Sequence, residues 1–136
     1  KIYVRSCLAA RKAGGLKGLA HITGGGLPEN LPRVLPAGLS VTLQRGSWPL
    51  PPVFAWLSKL GGIEDMEMLR TFNCGVGMVA VVAPEAAAAL IACFEAAGEK
   101  VFEIGRVLPN RADEPAVRFA PAREGEAWLS ANSGQS

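Results

Sequence analysis

Gly18-Leu19-Ala20-His21-Ile22-Thr23-Gly24-Gly25-Gly26-Leu27-Pro28-Glu29-Asn30-Leu31-Pro32-Arg33-Val34-Leu35-Pro36 is the stretch on which the reading of this chain turns. Residues 19–22 form a short apolar run that reads as a strand entering the glycine triplet. Residues 27–35 read as a brief helix with Pro28 in its first turn, where a missing N–H costs nothing. The order is strand, glycine loop, helix. In that context successive backbone N–H groups can converge on an anion, and glycine lets the chain take positive φ and a phosphate approach the backbone closely.

Upstream, Val4, Leu8 and Ala9 recur at helical spacing within residues 3–13, and Gly14-Gly15 stops that helix. Downstream, Leu39-Ser40-Val41-Thr42-Leu43-Gln44 alternates with period two, as a half-buried strand does. A helix over residues 52–60 follows Trp48-Pro49-Leu50-Pro51, with Val53, Trp56, Leu57 and Leu60 as its expected buried side. Residues 63–72 predict another helix, with Glu64, Asp65 and Glu67 in its first half, where carboxylates suit the helix dipole, and Met66, Leu69 and Phe72 facing inward. The valine-rich run 76–82 reads as a strand covered on both faces. Pro84-Glu85 opens an alanine-rich helix ending at Gly98, with Leu90, Ile91 and Phe94 packed inward. Residues 101–107 and 117–120 are further strands, and 123–136 reads as a frayed tail in which Trp128-Leu129 can dock.

Interleaved helices and strands make a layered α/β sandwich the natural architecture. The short connections favour an α+β fold with a mixed, largely antiparallel sheet and flanking helices. At 136 residues, 49% hydrophobic and 19% charged, the chain suits one compact domain with apolar surface left for a partner. A net charge of +2, thinly spread and without a basic stripe interleaved with aromatics, speaks against nucleic acid. The apolar run 76–82 is far short of the roughly 20 residues a membrane helix needs. Cys7, Cys74 and Cys93 are odd in number and lack CxxC spacing, so free thiols in a reducing cytosol are expected. The chain begins at Lys1 without a targeting pattern and reads as a cut end.

Chemistry-bearing side chains are few. Asn30 and Arg33 lie within a turn or so of the loop, three residues apart and on the same helical face, so one amide and one guanidinium can reach what the loop holds. The plain alternative is a glycine turn beside a solvated arginine. His21, the sole histidine, excludes a histidine-pair metal site; it is a substrate hydrogen-bonder or, as local chemistry favours, a satisfied structural residue. Gly75-Val76-Gly77-Met78-Val79-Ala80 matches GxGxxA but precedes a strand, so a dinucleotide site is rejected. Phe72-Asn73-Cys74-Gly75 reads as a helix C-terminus with Asn or Gly in a left-handed cap; alternatively the Asn73 side chain faces a cleft. Glu64, Asp65 and Glu67 read as a solvated face rather than a Mg²⁺ set. Trp48, Phe54 and Trp56 read as core or interface rather than base-stacking residues.

The run 18–36 resembles the C-terminal half of the phosphoribosylformylglycinamidine cyclo-ligases, also called aminoimidazole ribonucleotide synthetases. So do Ser47-Trp48-Pro49 with Phe54, then Glu67-Met68 with Arg70-Thr71-Phe72-Asn73-Cys74-Gly75-Val76-Gly77-Met78, and Ile104-Gly105. The blocks run in family order across residues 2–107; Cys74 stands where the family more often has methionine. The resemblance implies a cytoplasmic, ATP-dependent ligase of purine biosynthesis acting on formylglycinamidine ribonucleotide. It also implies a two-domain enzyme of which residues 1–136 are the C-terminal domain. An N-terminal domain would bind most of the ATP and Mg²⁺ and form the homodimer, so this chain alone would hold no cofactor and be inactive. His21, Thr23, Gly24, Gly25, Gly26, Asn30, Arg33 and Asn73 are the expected contacts to substrate, chiefly its ribose phosphate. Selenophosphate synthetase or thiamine-monophosphate kinase types are the nearest enzyme alternatives, against which the Thr-Gly-Gly-Gly and Phe-Asn-Cys-Gly blocks discriminate. A non-catalytic binding module is the alternative of a different class.

Overall fold

The computed structural model describes residues 3–110 and 113–120, which form two small sheets flanked by helices. Helix α1 (Val4–Ala13) leads into strand β1 (Leu16–His21), then α2 (Gly26–Asn30), a 3₁₀ turn (Pro32–Val34) and β2 (Leu39–Gln44). Helices α3 (Pro52–Gly61) and α4 (Asp65–Thr71) follow, then β3 (Met78–Val82), a 3₁₀ turn (Pro84–Ala86), α5 (Ala87–Ala96), β4 (Gly105–Pro109) and β5 (Val117–Ala120). Strands β1 and β3 pair antiparallel, with Lys17 bulged out of the ladder. In the second sheet β2 is central, antiparallel to β4 and parallel to β5. This is the expected α+β arrangement, with a mixed, largely antiparallel strand pairing.

One core joins both sheets. Leu27 and Leu31 below the glycine loop, Val41 and Leu43 of β2, Trp48, and Met68 and Leu69 of α4 are all buried and packed together. Each such leucine contributes about 1.5–3 kcal/mol by leaving water. Helices α1 and α5 pack on one another. The face of α1 that enters this contact carries Ser6 and Ala10, small residues that permit close approach, and the Ser6 hydroxyl donates to Glu99 Oε1 at 2.7 Å.

Several expectations about which side of an element is buried are corrected. Val4 and Leu8, which define the apolar spacing of α1, are 63% and 52% exposed. Of the expected inner side of α3 only Leu57 is half-buried, while Val53, Trp56 and Leu60 face outward, the last two 60% and 71% exposed. The helix is anchored instead by Phe54, whose ring lies 5.9 Å from that of Phe72, and by Ser58, whose hydroxyl donates to the Ile63 carbonyl. A helix apolar on every side gives pattern reading no means of choosing its face. On α4, Met68 and Leu69 are fully buried and Met66 is exposed.

Strand β3 is half-buried throughout rather than covered on both faces; among the described residues its strand partner is β1, and a cleft lies between it and β4. The strand expected at 101–107 begins at Gly105 and runs to Pro109, with Val107 36% and Leu108 43% exposed. Gly105 is required there, since a Cβ would collide with the Thr42 carbonyl oxygen of the neighbouring strand. The tail 123–136, with Trp128 and Leu129, lies outside the described residues. Among the described residues no helix is long and apolar enough to cross a membrane.

Candidate functional site

Strand β1 delivers the chain to the glycine loop. His21, its last residue, is opposite Met78, and the Ile22 N–H extends the pairing by donating to the Gly77 carbonyl at 3.0 Å. Ile22 is buried, whereas His21 is exposed, its ring edge-on to Tyr3 at 6.3 Å. The tyrosine hydroxyl lies over Gly77, where a Cβ would strike it.

The loop then reverses in a tight turn, closed by the Gly26 N–H donating to the Thr23 carbonyl at 2.9 Å. Gly25 takes φ 93° and ψ −13°, a left-handed conformation suited to glycine. Gly26 follows at φ 61° with its Cα against backbone: an added Cβ would collide with the Leu69 carbonyl oxygen and come within 2.8 Å of that of Phe72. Gly24 differs, because nothing lies within 4 Å of where its Cβ would be. The N–H groups of Gly24 and Gly25 make no hydrogen bond among the described residues. Two glycines therefore seat the loop, and the third leaves its outer side open.

Asn30 holds the turn from beneath. Only 5% exposed, its amide donates to the Gly26 carbonyl at 2.8 Å and, more weakly, to the Thr23 and Gly24 carbonyls at 3.4 Å. Its Oδ1 accepts from the Thr23 hydroxyl at 3.4 Å. This corrects the expectation that Asn30 and Arg33 share a face. The α-helix stops at Asn30, Pro32 starts a separate 3₁₀ turn, and Arg33 in that turn is exposed. The asparagine points into the fold and the arginine out of it.

The Phe72-Asn73-Cys74-Gly75 block is brought directly beside this loop through the Phe72 carbonyl under Gly26. It opens at the helix C-terminus as expected, but the cap is not left-handed: α4 ends at Thr71 and Phe72, extended, caps it with its N–H on the Met68 carbonyl at 2.9 Å. The left-handed residues are Cys74 (φ 51°) and Gly75 (φ 92°). They sit inside a turn closed by the Val76 N–H on the Asn73 carbonyl at 3.0 Å. The half-buried Asn73 accepts the Gly75 N–H on its side-chain oxygen at 2.9 Å, so that oxygen serves the turn. Cys74 is fully buried and its thiol donates to the Met68 carbonyl.

Trp48 completes the assembly from the third block. It is buried, and its indole N–H donates to the Cys74 carbonyl at 3.0 Å, while Pro51 packs on Gly75. Sequence spacing carries no signal for the Trp48–Cys74 bond or for the shelf of Leu69 and Phe72 carbonyls under Gly26. The fold thus gathers Thr23, residues 24–26, Asn30 and Asn73 around one loop, sets His21 at the strand end with its ring against Tyr3, and leaves Arg33 exposed in the next turn. Among the described residues no three His, Cys, Asp or Glu side chains converge as a metal-binding set.

Comparison with known proteins places this geometry in context. The family model described as "AIR synthase related protein, C-terminal domain" matches residues 1–118. A phosphoribosylformylglycinamidine cyclo-ligase of Methylobacillus flagellatus is 52% identical over 114 residues, covering 84% of this chain and 33% of the relative. The "bifunctional purine biosynthetic protein purD" of Dictyostelium discoideum is 49% identical over 111 residues, 82% of this chain and 14% of the relative. The chain spans a third or less of the length of these curated relatives.

Proposed function

The chain belongs to the family of AIR synthase related protein C-terminal domains, and from that premise we propose that it is the C-terminal part of an ATP-dependent cyclo-ligase of purine biosynthesis. The reaction is closure of the imidazole ring of aminoimidazole ribonucleotide from formylglycinamidine ribonucleotide. ATP phosphorylates the formyl oxygen, an amidine nitrogen attacks the activated carbon, and phosphate leaves, giving ADP and phosphate beside the ring product. Orientation of the nitrogen and neutralisation of phosphoryl charge supply most of the rate in such chemistry. The observation that carries this reading is the 52% identity to a cyclo-ligase over 84% of the chain.

Within that reaction the chain's own residues bind and orient. Exposed Gly24 and half-buried Gly25, on which the Glu29 carboxylate packs, present two N–H groups at the turn, suited to the oxygens of the substrate's ribose phosphate. Thr23 adds a hydroxyl from the same turn, His21 an imidazole from the end of β1, and Arg33 a guanidinium from the neighbouring 3₁₀ turn. Asn30 acts indirectly, by fixing the turn. ATP and Mg²⁺ are assigned to an N-terminal domain, which also makes the homodimer. By itself the chain is expected to be inactive, and the enzyme is assigned to the cytoplasm.

Complementation of a purine auxotroph lacking this cyclo-ligase tests the proposal. The full-length protein should restore growth without purine, and Arg33→Ala should restore it less well. No growth from a well-expressed full-length protein would refute the assignment.

A further inference from the structure

The two glycines of Gly75-Val76-Gly77 are glycines for different reasons. Gly75 holds a left-handed φ of 92° inside its turn, whereas Gly77 is not left-handed. What a side chain at position 77 would meet is Tyr3: a Cβ would strike the tyrosine hydroxyl and come within 3.2 Å of its ring.

Tyr3 is fixed at both ends. Its carbonyl accepts the first hydrogen bond of α1, from the Cys7 N–H at 2.9 Å, which sets its backbone at the helix start. Its side chain crosses to the β1–β3 pair, where the hydroxyl lies over Gly77 and the ring meets the His21 imidazole edge-on, with centroids 6.3 Å and planes 66° apart. His21 is paired with Met78, and the Gly77 carbonyl accepts the Ile22 N–H at 3.0 Å. The glycine that makes room for Tyr3 is therefore hydrogen-bonded to the residue that follows His21.

We propose that Tyr3 is a positioning residue for His21. The proposal rests on the reading of His21 as a substrate contact and deepens it by naming what aims the ring. His21 is exposed at the end of β1, and an exposed side chain without a neighbour samples several staggered rotamers. An edge-on aromatic partner favours the rotamer that keeps the two rings in contact. The imidazole then meets substrate already oriented, without a further loss of freedom on binding. Gly77 serves the same end, by admitting the hydroxyl that an alanine methyl would displace.

The test combines a spectrum with kinetics. His21 is the only histidine and Tyr3 the only tyrosine of the 136-residue chain, so the ring protons of each are unambiguous by NMR. Nuclear Overhauser contacts between the two rings are expected, and their absence from the folded chain would overturn the proposal. In the full-length protein, Tyr3→Leu should lower kcat/KM for formylglycinamidine ribonucleotide by about threefold to tenfold, the scale of one aromatic pair. Tyr3→Phe, which keeps the ring, should retain most of it. The Tyr3→Leu loss should vanish in a His21→Gln background, where no imidazole is left to aim. An equal loss in both backgrounds would reveal a structural role only, and a His21→Gln enzyme as active as the unmodified one would leave nothing to position; either result overturns the proposal. Gly77→Ala should lower kcat/KM, and less so beside Tyr3→Phe, which removes the struck hydroxyl; equal losses would contradict the role given to Gly77. If the unmodified full-length protein fails to convert the substrate, the proposed reaction falls, and the ring contacts still decide whether Tyr3 holds His21.

Discussion

The Asn30 side-chain amide donates to the Gly26 carbonyl at 2.8 Å from a buried position beneath the glycine turn. That bond makes Asn30 part of the loop's foundation, so the proposed substrate contacts fall to Thr23, Gly24, Gly25 and Arg33. Asn30→Ala should therefore destabilise the 136-residue chain by about 1–3 kcal/mol, the cost of leaving buried carbonyls unpaired. Arg33→Ala, at an exposed position, should change stability by less than about 0.5 kcal/mol. Urea unfolding midpoints of the two variants measure the contrast, and equal midpoints would place Asn30 outside the fold's support.

The glycines of the triplet should separate in the same way. Gly26→Ala forces a Cβ onto the Leu69 carbonyl and holds alanine at φ 61°. The positive φ alone costs about 1–3 kcal/mol, and the backbone collision adds to it. Gly24→Ala meets nothing within 4 Å and should leave the thermal midpoint close to wild type, while raising the KM of the full-length enzyme by crowding the turn's outer side. A Gly24→Ala enzyme with unchanged kinetics would remove the turn from the substrate site.

How much of this was legible from residues alone depended on whether neighbours competed for the same role. Strand β2 occupies residues 39–44 as the alternation Leu39, Val41, Leu43 predicts, but its polar side is not left to solvent: Ser40 is fully buried and its hydroxyl oxygen accepts from Arg118 at 2.9 Å. Helix α3 forms where expected, but Val53, Trp56 and Leu60 on one side and Phe54 and Leu57 on the other are equally apolar, and only the Phe72 contact decides between them. Met66 and Met68 pose the same ambiguity on α4. In the site, the Thr-Gly-Gly-Gly turn was visible as a strand-to-helix loop. The inward turn of Asn30 was not, because an asparagine bonding its own loop and one reaching a ligand occupy the same position in sequence. The break at Pro32, which separates it from Arg33, was not legible either, since residues 27–35 read as one helix.

The two described tryptophans should behave differently in solution. Trp48 is 3% exposed and bonded to the Cys74 carbonyl, whereas Trp56 is 60% exposed. With Trp128 replaced by Phe, because it lies outside the described residues, Trp56→Phe should shift the emission maximum of the 136-residue chain to the blue. It should also remove most acrylamide quenching, and Trp48→Phe should do neither. Trp48→Phe should instead destabilise, by about 1–3 kcal/mol for the unpaired buried carbonyl. The opposite pattern would reverse the assigned faces of α3.

Cys7 offers a pH-dependent readout. Partial burial first, and the Glu99 carboxylate second, push its thiol above the ordinary 9.0. The folded state thus favours the neutral thiol: this contribution to stability is present below pH 9.0 and is lost as pH rises through the higher folded value. Alkylation of Cys7 by iodoacetamide, followed on its own peptide, should reach half its maximal rate above pH 9.0. Glu99→Gln should lower that midpoint by removing the facing charge. An unmoved midpoint would mean that Glu99 does not act on the thiol.

The central claim is that this domain serves a ring-closing, ATP-consuming ligase, and its most direct test is a product balance. Purified full-length protein is incubated with formylglycinamidine ribonucleotide and ATP, and ADP, phosphate and aminoimidazole ribonucleotide are quantified together. The account predicts equal amounts of all three, with turnover lowered by Arg33→Ala. ATP consumption without the imidazole product, or a phosphoryl group retained on a stable product, would contradict it.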